Sequence, residues 1–315
     1  MDFLVNNFWE LTITGLTLGS IYALVALGYT LVYGVLRLIN FAHSEIFLIG
    51  TYAALLTWGA MGLTAGGSIN SSTIAVIGYI LVAGVVAMVA SGLGAVVLER
   101  VAYRPLRRRN APTLVFLISA IGASLAISEA FAVWRGRNQE GIPDLVSPRP
   151  LFTVFDATIT NEQVLVIVSA VVMMMALDQF IRRSRLGRGL RAVAQDPDTA
   201  TLMGVNKDRV IALTFLLGGL MAGVAAVLYT LRIGTTVYSV GFLLGVKAFT
   251  AAVLGGIGNL RGALIGGLLL GLVENYGSAL VGTQWKDVVA FVALIVILMF
   301  RPTGILGESL GKARV

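Results

Sequence analysis

The sequence predicts an all-α integral membrane protein, a polytopic bundle of about eight to nine transmembrane helices with broken or re-entrant segments. Of its 315 residues, 57% are hydrophobic and only 12% are charged, and the mean hydropathy is +0.89. A soluble domain carries about 25% charged residues. The composition therefore excludes a water-soluble globule, and residues 1–315 are treated as a single membrane domain.

Charged residues are rare enough for the gaps between them to mark the spans, since about 20 apolar residues cross a hydrocarbon core of about 30 Å. Glu10 and Arg37 bracket 26 uncharged residues, enough for one helix. Glu45 and Glu99 bracket 53, enough for two helices joined by a Gly- and Ser-rich turn at 62–73. Three further spans are predicted within 109–129, 162–178 and 209–232.

The last third of the chain is less regular, because single charges divide it into short pieces. We predict a short, Gly-broken segment at about 245–257, a helix at about 262–281 and a last helix at about 287–300. The sum is nine crossings, or eight if the broken segment is re-entrant.

The basic residues predict the orientation, since Lys and Arg in short loops are held on the cytoplasmic side during insertion. Sixteen of them fall on the predicted cytoplasmic side, at Arg37, in 100–109, in 182–209 and after Phe300. Six fall on the other side, and the side of Arg261 depends on whether the broken segment crosses the membrane. We therefore predict the N-terminus outside and the C-terminus in the cytoplasm, a parity that favours nine crossings. The first ten residues contain no Lys or Arg, so the first span is expected to be retained rather than cleaved.

Glycines and a possible internal repeat indicate how the helices pack. Pairs at four-residue spacing, such as Gly15 with Gly19 and Gly219 with Gly223, expose bare backbone on one helix face and allow close helix approach. At an offset of 200 residues, Gly19, Ala26 and Tyr29-Thr30-Leu31 recur in antiparallel spans. Inverted repeats are typical of transporters, although five such matches can arise by chance. Between the spans, composition favours a solvated connector at 134–163 over a docking surface.

The polar run NFAHSE, 40–45, is the first candidate site, with Asn40, His43, Ser44 and Glu45 predicted near a substrate path. A carboxylate at the bilayer centre costs about 2.5 to 3.5 kcal/mol and needs a partner or water. If the run opens the second helix inside the membrane, Asn40 or Ser44 would cap it and its free N–H groups would face a cavity. If it lies at the surface, it is simply a polar helix start, and the sequence leaves both alternatives open.

The loop 182–209 is the second candidate site and carries the most mixed charge. We predict a short helix from Leu190, a break at Asp196-Pro197 with Asp196 as N-cap, and a second short helix ending at Gly204. Such a loop can be only a positive-inside signal. The apolar positions are unnecessary for a charge anchor, so we favour a helix that fills a groove on a soluble partner; these positions are Ala192, Ala200, Leu202 and Met203.

The chain is not expected to be an enzyme or to hold a cofactor or metal. It contains no cysteine and one histidine, which excludes thiolate sites and histidine clusters. It also lacks a P-loop, so if transport is ATP-driven, another subunit hydrolyses the ATP.

Four stretches together resemble the LivH-type permease of bacterial branched-chain amino-acid ABC transporters. They are GLTLGSIYALVALGYTLVYGVLRLINFAHSEIFLIGTYAA (15–54), VLERVAYRPLRRR (97–109), GRGLRAVAQDPDTATLMGVN (187–206) and AAVLGGIGNLRGALIGGLLLGLVE (251–274). The family usually has Gly where Ser44 stands, and Asp198-Thr199-Ala200 occupies the place of its degenerate Glu-Ala-Ala letters.

The resemblance implies a permease domain in the bacterial cytoplasmic membrane that imports branched-chain or other neutral amino acids. It also implies two cytoplasmic ATPases, a second homologous permease and an extracytoplasmic substrate-binding protein. The residues implied for ATPase coupling are Gly189, Leu190, Arg191, Ala192, Asp196, Pro197, Ala200 and Gly204. Import of urea or short amides is the alternative, followed by an ion-coupled secondary transporter.

Overall fold

The computed structural model describes residues 7–65, 72–154, 157–301 and 303–307. Part of the predicted turn at 62–73 and most of the basic tail after Arg301 lie outside these ranges. Within them, helices of at least 15 residues form the bundle: α1 Phe8–Leu36, α2 His43–Ala60, α3 Thr73–Leu98, α5 Thr113–Arg135, α6 Asn161–Arg183, α9 Lys207–Ile233, α10 Val240–Gly255, α11 Leu260–Val281 and α12 Lys286–Phe300. The all-α prediction and the order of the nine helices are confirmed.

Three shorter helices, a π-helical turn and a 3₁₀ turn at Thr283–Trp285 lie between the long ones. The turn Glu99–Tyr103 continues α3 into α4, Arg104–Arg108. Helices α7, Arg185–Gln195, and α8, Pro197–Leu202, lie between α6 and α9. Seven helices of the described chain are long and apolar enough to cross a membrane, and α10 is a shorter apolar helix.

The segment predicted as a solvated connector is partly folded onto the bundle. Strand β1, Glu140–Gly141, pairs with β4, Thr235–Thr236, and β2, Pro150–Val154, forms an antiparallel hairpin with β3, Ala157–Thr160. Ile142 and Leu145 are buried against the apolar cluster around Trp58. Most side chains of 134–153 are exposed, as expected of a solvated connector, but the pairing of β1 with β4 was not predicted, because the strand partner lies almost 100 residues away in the sequence.

Helices α1 and α9 form the centre of the bundle, with 72% of an 18-residue stretch of each buried. The packing around them repeats. Helix α1 packs mainly on α11, and α9 packs mainly on α3; α2 contacts α3 as α10 contacts α11. The two halves α1–α3 and α9–α11 therefore have matching contacts, which supports the internal repeat that the sequence indicated.

Glycines provide the close approaches between the two halves, as predicted. A Cβ atom on Gly19 would lie 2.7 Å from the Gly267 carbonyl oxygen of α11. A Cβ atom on Gly219 would lie 2.6 Å from the Ser91 carbonyl oxygen of α3. These are backbone contacts that no rotamer change can relieve, so glycine is required at both positions.

Helices α2 and α10 both begin inside the bundle. His43, the first residue of α2, packs against Gly28, which lies eight residues before α1 ends. At 1.5 Å per residue, α2 therefore begins about 12 Å inside the end of α1. Before α10, Thr236 is buried and its hydroxyl lies 2.9 Å from that of Thr51 on α2.

Candidate functional site

The polar run 40–45 lies inside the helix bundle and not at its surface. The exposed fractions of Asn40, His43, Ser44 and Glu45 are 2%, 1%, 3% and 1%. Burial decides between the two alternatives that the sequence left open, in favour of a helix that opens within the bundle.

Glu45 is held between three helices. Its Oε1 accepts hydrogen bonds from the Ser44 hydroxyl at 3.3 Å and from the Ser124 hydroxyl of α5 at 3.1 Å. Its Oε2 has no hydrogen-bond partner among the described residues and faces Gly241 in the first turn of α10, where a Cβ atom would lie 2.6 Å away. The positive end of the α10 dipole therefore faces a carboxylate oxygen that makes no hydrogen bond to the described residues.

His43 and Asn40 face away from Glu45. The His43 ring makes an edge contact with Tyr29 of α1 at a centroid distance of 4.9 Å, and its Nε2 has no hydrogen-bond partner among the described residues. The Asn40 Oδ1 accepts a hydrogen bond of 2.9 Å from the Tyr103 hydroxyl. The run thus offers separate polar groups rather than a His–Glu relay.

The predicted capping of α2 was wrong. Ala42 is the N-cap residue, and no side chain caps the helix. The first N–H groups of α2 donate to the carbonyl oxygens of Asn40, Phe41 and Ala42, because the chain enters the helix through a continuous turn. Cavity-facing N–H groups are therefore not found at this helix start.

A second buried polar cluster was not predicted as a site. The Lys247 ammonium of α10 lies 2.7 Å from Glu274 of α11 and 2.6 Å from Asp287 of α12. The Tyr22 hydroxyl of α1 also donates to Glu274 at 3.2 Å. In the sequence these charges marked only boundaries between spans, although a Lys and a Glu inside an apolar third of the chain signalled a buried pair.

The segment 182–209, called the coupling segment after the role predicted for it, folds as two short helices joined at Asp196. The Asp196 carboxylate accepts hydrogen bonds from the N–H groups of Asp198 and Thr199, as an N-cap does, so the predicted break and cap are confirmed. The Thr199 hydroxyl also donates to it, and these bonds lower the pKa of the Asp196 carboxyl below its usual value. The first helix begins at Arg185 and not at Leu190, because Ser184 caps it.

The residues predicted for coupling divide into an inner and an outer set. Leu190 and Ala200 are buried and hold the segment against the bundle. Gly189 and Ala192 are half-buried, whereas Arg191, Asp196, Pro197 and Gly204 are exposed. Gly204 has a φ of 85°, a conformation that glycine adopts readily.

Two further residues of the coupling segment project outward. The exposed fractions of Leu202 and Met203 are 87% and 81%, the largest of the exposed apolar side chains in the segment. Leu202 is the last residue of α8, and Met203 follows it as the C-cap residue. An apolar pair fixed on a capped helix fits a groove on another protein.

Ion pairs attach the start of α9 to α4. Asp208 accepts from Arg107 at 2.7 Å and from Arg104 at 3.1 Å, and Arg108 lies 3.6 Å away. Arg107 also pairs with the buried Glu99 at 3.0 Å. The end of the coupling segment is therefore fixed to the extension of α3.

Comparison with known proteins identifies related chains over nearly the whole length. The family model described as the permease component of the branched-chain amino acid transport system matches residues 11–298. The high-affinity branched-chain amino acid transport system permease protein BraD of Pseudomonas aeruginosa is 44% identical over 307 residues, covering 96% of this chain and 97% of the relative.

Two further relatives have similar coverage. The high-affinity branched-chain amino acid permease protein LivH of Escherichia coli is 44% identical, covering 96% of each chain. The probable LivH of Methanocaldococcus jannaschii is 26% identical, covering 94% of this chain and 91% of the relative. No solved structure matches the chain.

Proposed function

The chain belongs to the family of branched-chain amino acid transport permease components, and we propose that it carries branched-chain or other neutral amino acids inward as part of an ATP-driven importer. It is a non-catalytic, multi-pass membrane subunit. The observation that carries the proposal is identity of 44% along almost the entire chain to two high-affinity permeases for these amino acids.

The proposed assembly contains two cytoplasmic ATPases, a second homologous permease and an extracytoplasmic binding protein. The proposed orientation has the N-terminus outside and the C-terminus in the cytoplasm. It is supported by the concentration of arginines in 100–109 and in the coupling segment, at one end of the bundle.

The coupling segment is proposed to fill a groove on an ATPase. The exposed Leu202 and Met203 would supply the apolar contact, and the Asp196 cap keeps α8 helical while it is exposed. ATP-driven movement of the ATPases would then pull on α8, and the Asp208 ion pairs would transmit the pull to α3 and α9.

The polar run 40–45 is proposed to lie beside the substrate path. Glu45 would bind the ammonium group of a zwitterionic substrate through its free Oε2 when α2 and α10 separate. A charged group at this depth is typical of a substrate pathway, since an unpaired carboxylate there has no structural benefit.

The transport proposal is tested in vesicles that contain the chain with its ATPases, second permease and binding protein. We expect ATP-dependent uptake of labelled leucine, isoleucine or valine. Uptake of urea or acetamide with no uptake of these amino acids would replace the substrate assignment. Uptake driven by an ion gradient without ATP would favour a secondary transporter.

The coupling contact is tested by Leu202→Asp, with Leu151→Asp in the exposed β2 strand as the matched control. Losing a buried leucine costs about 1.5 to 3 kcal/mol, so ATPase binding should weaken about 10- to 100-fold. Gly204→Val places a β-branched residue at a position where φ is 85°, a conformation that strains the backbone of such a residue. This variant should therefore uncouple ATP hydrolysis from uptake. Unchanged ATPase binding by Leu202→Asp would refute the assigned contact.

A further inference from the structure

We propose that the extension of α3 forms a binding site for the phosphate group of an anionic membrane phospholipid. The site is a pocket of about 410 Å³, lined by Arg100, Arg104, Pro105, Arg108 and Arg109. It lies at the end of a membrane-spanning helix, where phospholipid headgroups lie. The proposal does not depend on which solute the chain transports.

The pocket has more positive charge than its protein neighbours neutralise. The segment 100–109 carries five arginines, and the carboxylates that pair with them are Glu99 and Asp208. Arg100 and Arg109 form no ion pair with any carboxylate of the described chain. Three positive charges therefore remain without a counter-ion.

The spacing of the arginines makes this excess of positive charge unfavourable for the helix. Arg100, Arg104 and Arg108 are four residues apart, so their side chains are neighbours on one face. Like charges at this spacing destabilise a helix. Asp208 reduces the repulsion by pairing with Arg104 and Arg108, but it forms no ion pair with Arg100. A bound anion would therefore stabilise the extension of α3.

An exposed apolar stripe leads into the pocket and selects a lipid over a free anion. Val89, Leu93, Val97 and Val101 are four residues apart on the same helix, and their exposed fractions rise from 50% to 73% along the stripe. Val101 lies one turn before Pro105, which lines the pocket. Acyl chains would lie on the valines and the leucine while the phosphate binds the arginines.

Guanidinium groups suit this ligand because they bind phosphate oxygens in pairs. Basic pockets at the cytoplasmic ends of transmembrane helices bind anionic headgroups in this way. A zwitterionic headgroup places its own cation near the arginines, so phosphatidylglycerol should bind better than phosphatidylcholine.

The test measures lipid binding to the purified full-length chain by native mass spectrometry, with phosphatidylglycerol, phosphatidylcholine and glycerol 3-phosphate as the three ligands. The variant is Arg100→Gln with Arg109→Gln, since neither arginine has an ion-pair partner in the described chain. The matched control is Arg183→Gln with Arg185→Gln, which removes the same charge from exposed positions outside the pocket.

We expect the Arg100/Arg109 double variant to bind phosphatidylglycerol about 30-fold more weakly, which corresponds to about 2 kcal/mol for two arginines. The control should change binding less than threefold. Equal losses in both double variants would mean diffuse charge attraction and would overturn the proposal. Equal binding of the two phospholipids would also overturn it.

Glycerol 3-phosphate separates a lipid site from a general phosphate site. If it displaces phosphatidylglycerol at equal concentration, the acyl chains contribute nothing and the lipid assignment is wrong. If the arginine variant fails to fold, Val101→Asp decides, because it leaves every arginine in place. It should abolish the preference for phosphatidylglycerol, and an unchanged preference would refute the site.

Discussion

Gly19 is the position at which the packing between α1 and α11 can be tested most sharply. In Gly19→Ala, the new Cβ atom would lie 2.7 Å from the Gly267 carbonyl oxygen and 2.8 Å from the Leu268 Cα atom. Ordinary contact begins at 3.4 Å, so the helices must separate by about 0.7 Å. A gap of 0.5 to 1 Å forfeits a quarter to a half of each dispersion contact, and overpacking of this kind costs about 1 to 3 kcal/mol.

The matched control is Gly84→Ala in α3, where a new Cβ atom meets no other atom within 4 Å. Alanine is a better helix former than glycine by about 1 kcal/mol, so this variant should be as stable as the parent or slightly more stable. Thermal unfolding in detergent should therefore separate the two variants by about 2 to 4 kcal/mol. If Gly19→Ala unfolds at the same temperature as Gly84→Ala, α1 and α11 do not approach each other as closely as described.

Three further predictions concern the polar groups. Lys247→Met should destabilise the chain by about 1.5 to 3 kcal/mol, because the buried Glu274 loses its closest cation and keeps only Lys286 at 3.7 Å, and adding Glu274→Gln should restore most of the loss in the same unfolding assay. Glu45→Gln should reduce amino acid uptake at least tenfold without changing the unfolding temperature, and Glu129→Gln, at an exposed carboxylate, should not; equal uptake would remove Glu45 from the path. Because the pKa of the Asp196 carboxyl is lowered in the folded chain, its cap should be fully formed above the ordinary aspartate pKa of about 3.9 and be lost only as the pH falls through the lowered pKa, which hydrogen exchange of α8 would detect.

Much of the fold could be predicted because membrane spans are encoded locally. The gaps between charges located the helices, since a charge inside a span is costly wherever the span packs. The Asp196 break was also predictable, because an N-cap depends on the residue itself and the next three.

Features that depend on distant contacts could not be predicted in this way. The burial of Glu45 requires Ser124 and Gly241, which lie 79 and 196 residues further along the chain. Seen locally, a polar run after Arg37 is equally compatible with a surface turn. The Lys247 network has the same origin, because its four charges come from three helices and each alone indicates only a span boundary.

The packing pattern also predicts how the bundle can move. Helices α1, α10 and α11 contact one another, as do α9, α2 and α3, so each set combines the first helix of one half with the second and third helices of the other half. The two sets meet where α1 packs on α9. The polar run lies on the boundary between the sets, where His43 meets α1 and Glu45 meets α10.

The coupling segment continues directly into α9, and Asp208 fixes that helix to the extension of α3. A pull on α8 should therefore move α9 and α3 together and open the boundary at Glu45. The chain has no native cysteine, so spin labels attach only to cysteines introduced by substitution. Labels at Leu93 on α3 and Val273 on α11 should change their separation when ATP is added to the assembled transporter, whereas labels at Leu93 and Ile233 on α9 should keep theirs. Equal changes in both pairs would mean that the bundle does not divide along this boundary, and Glu45 would then have no route to the substrate.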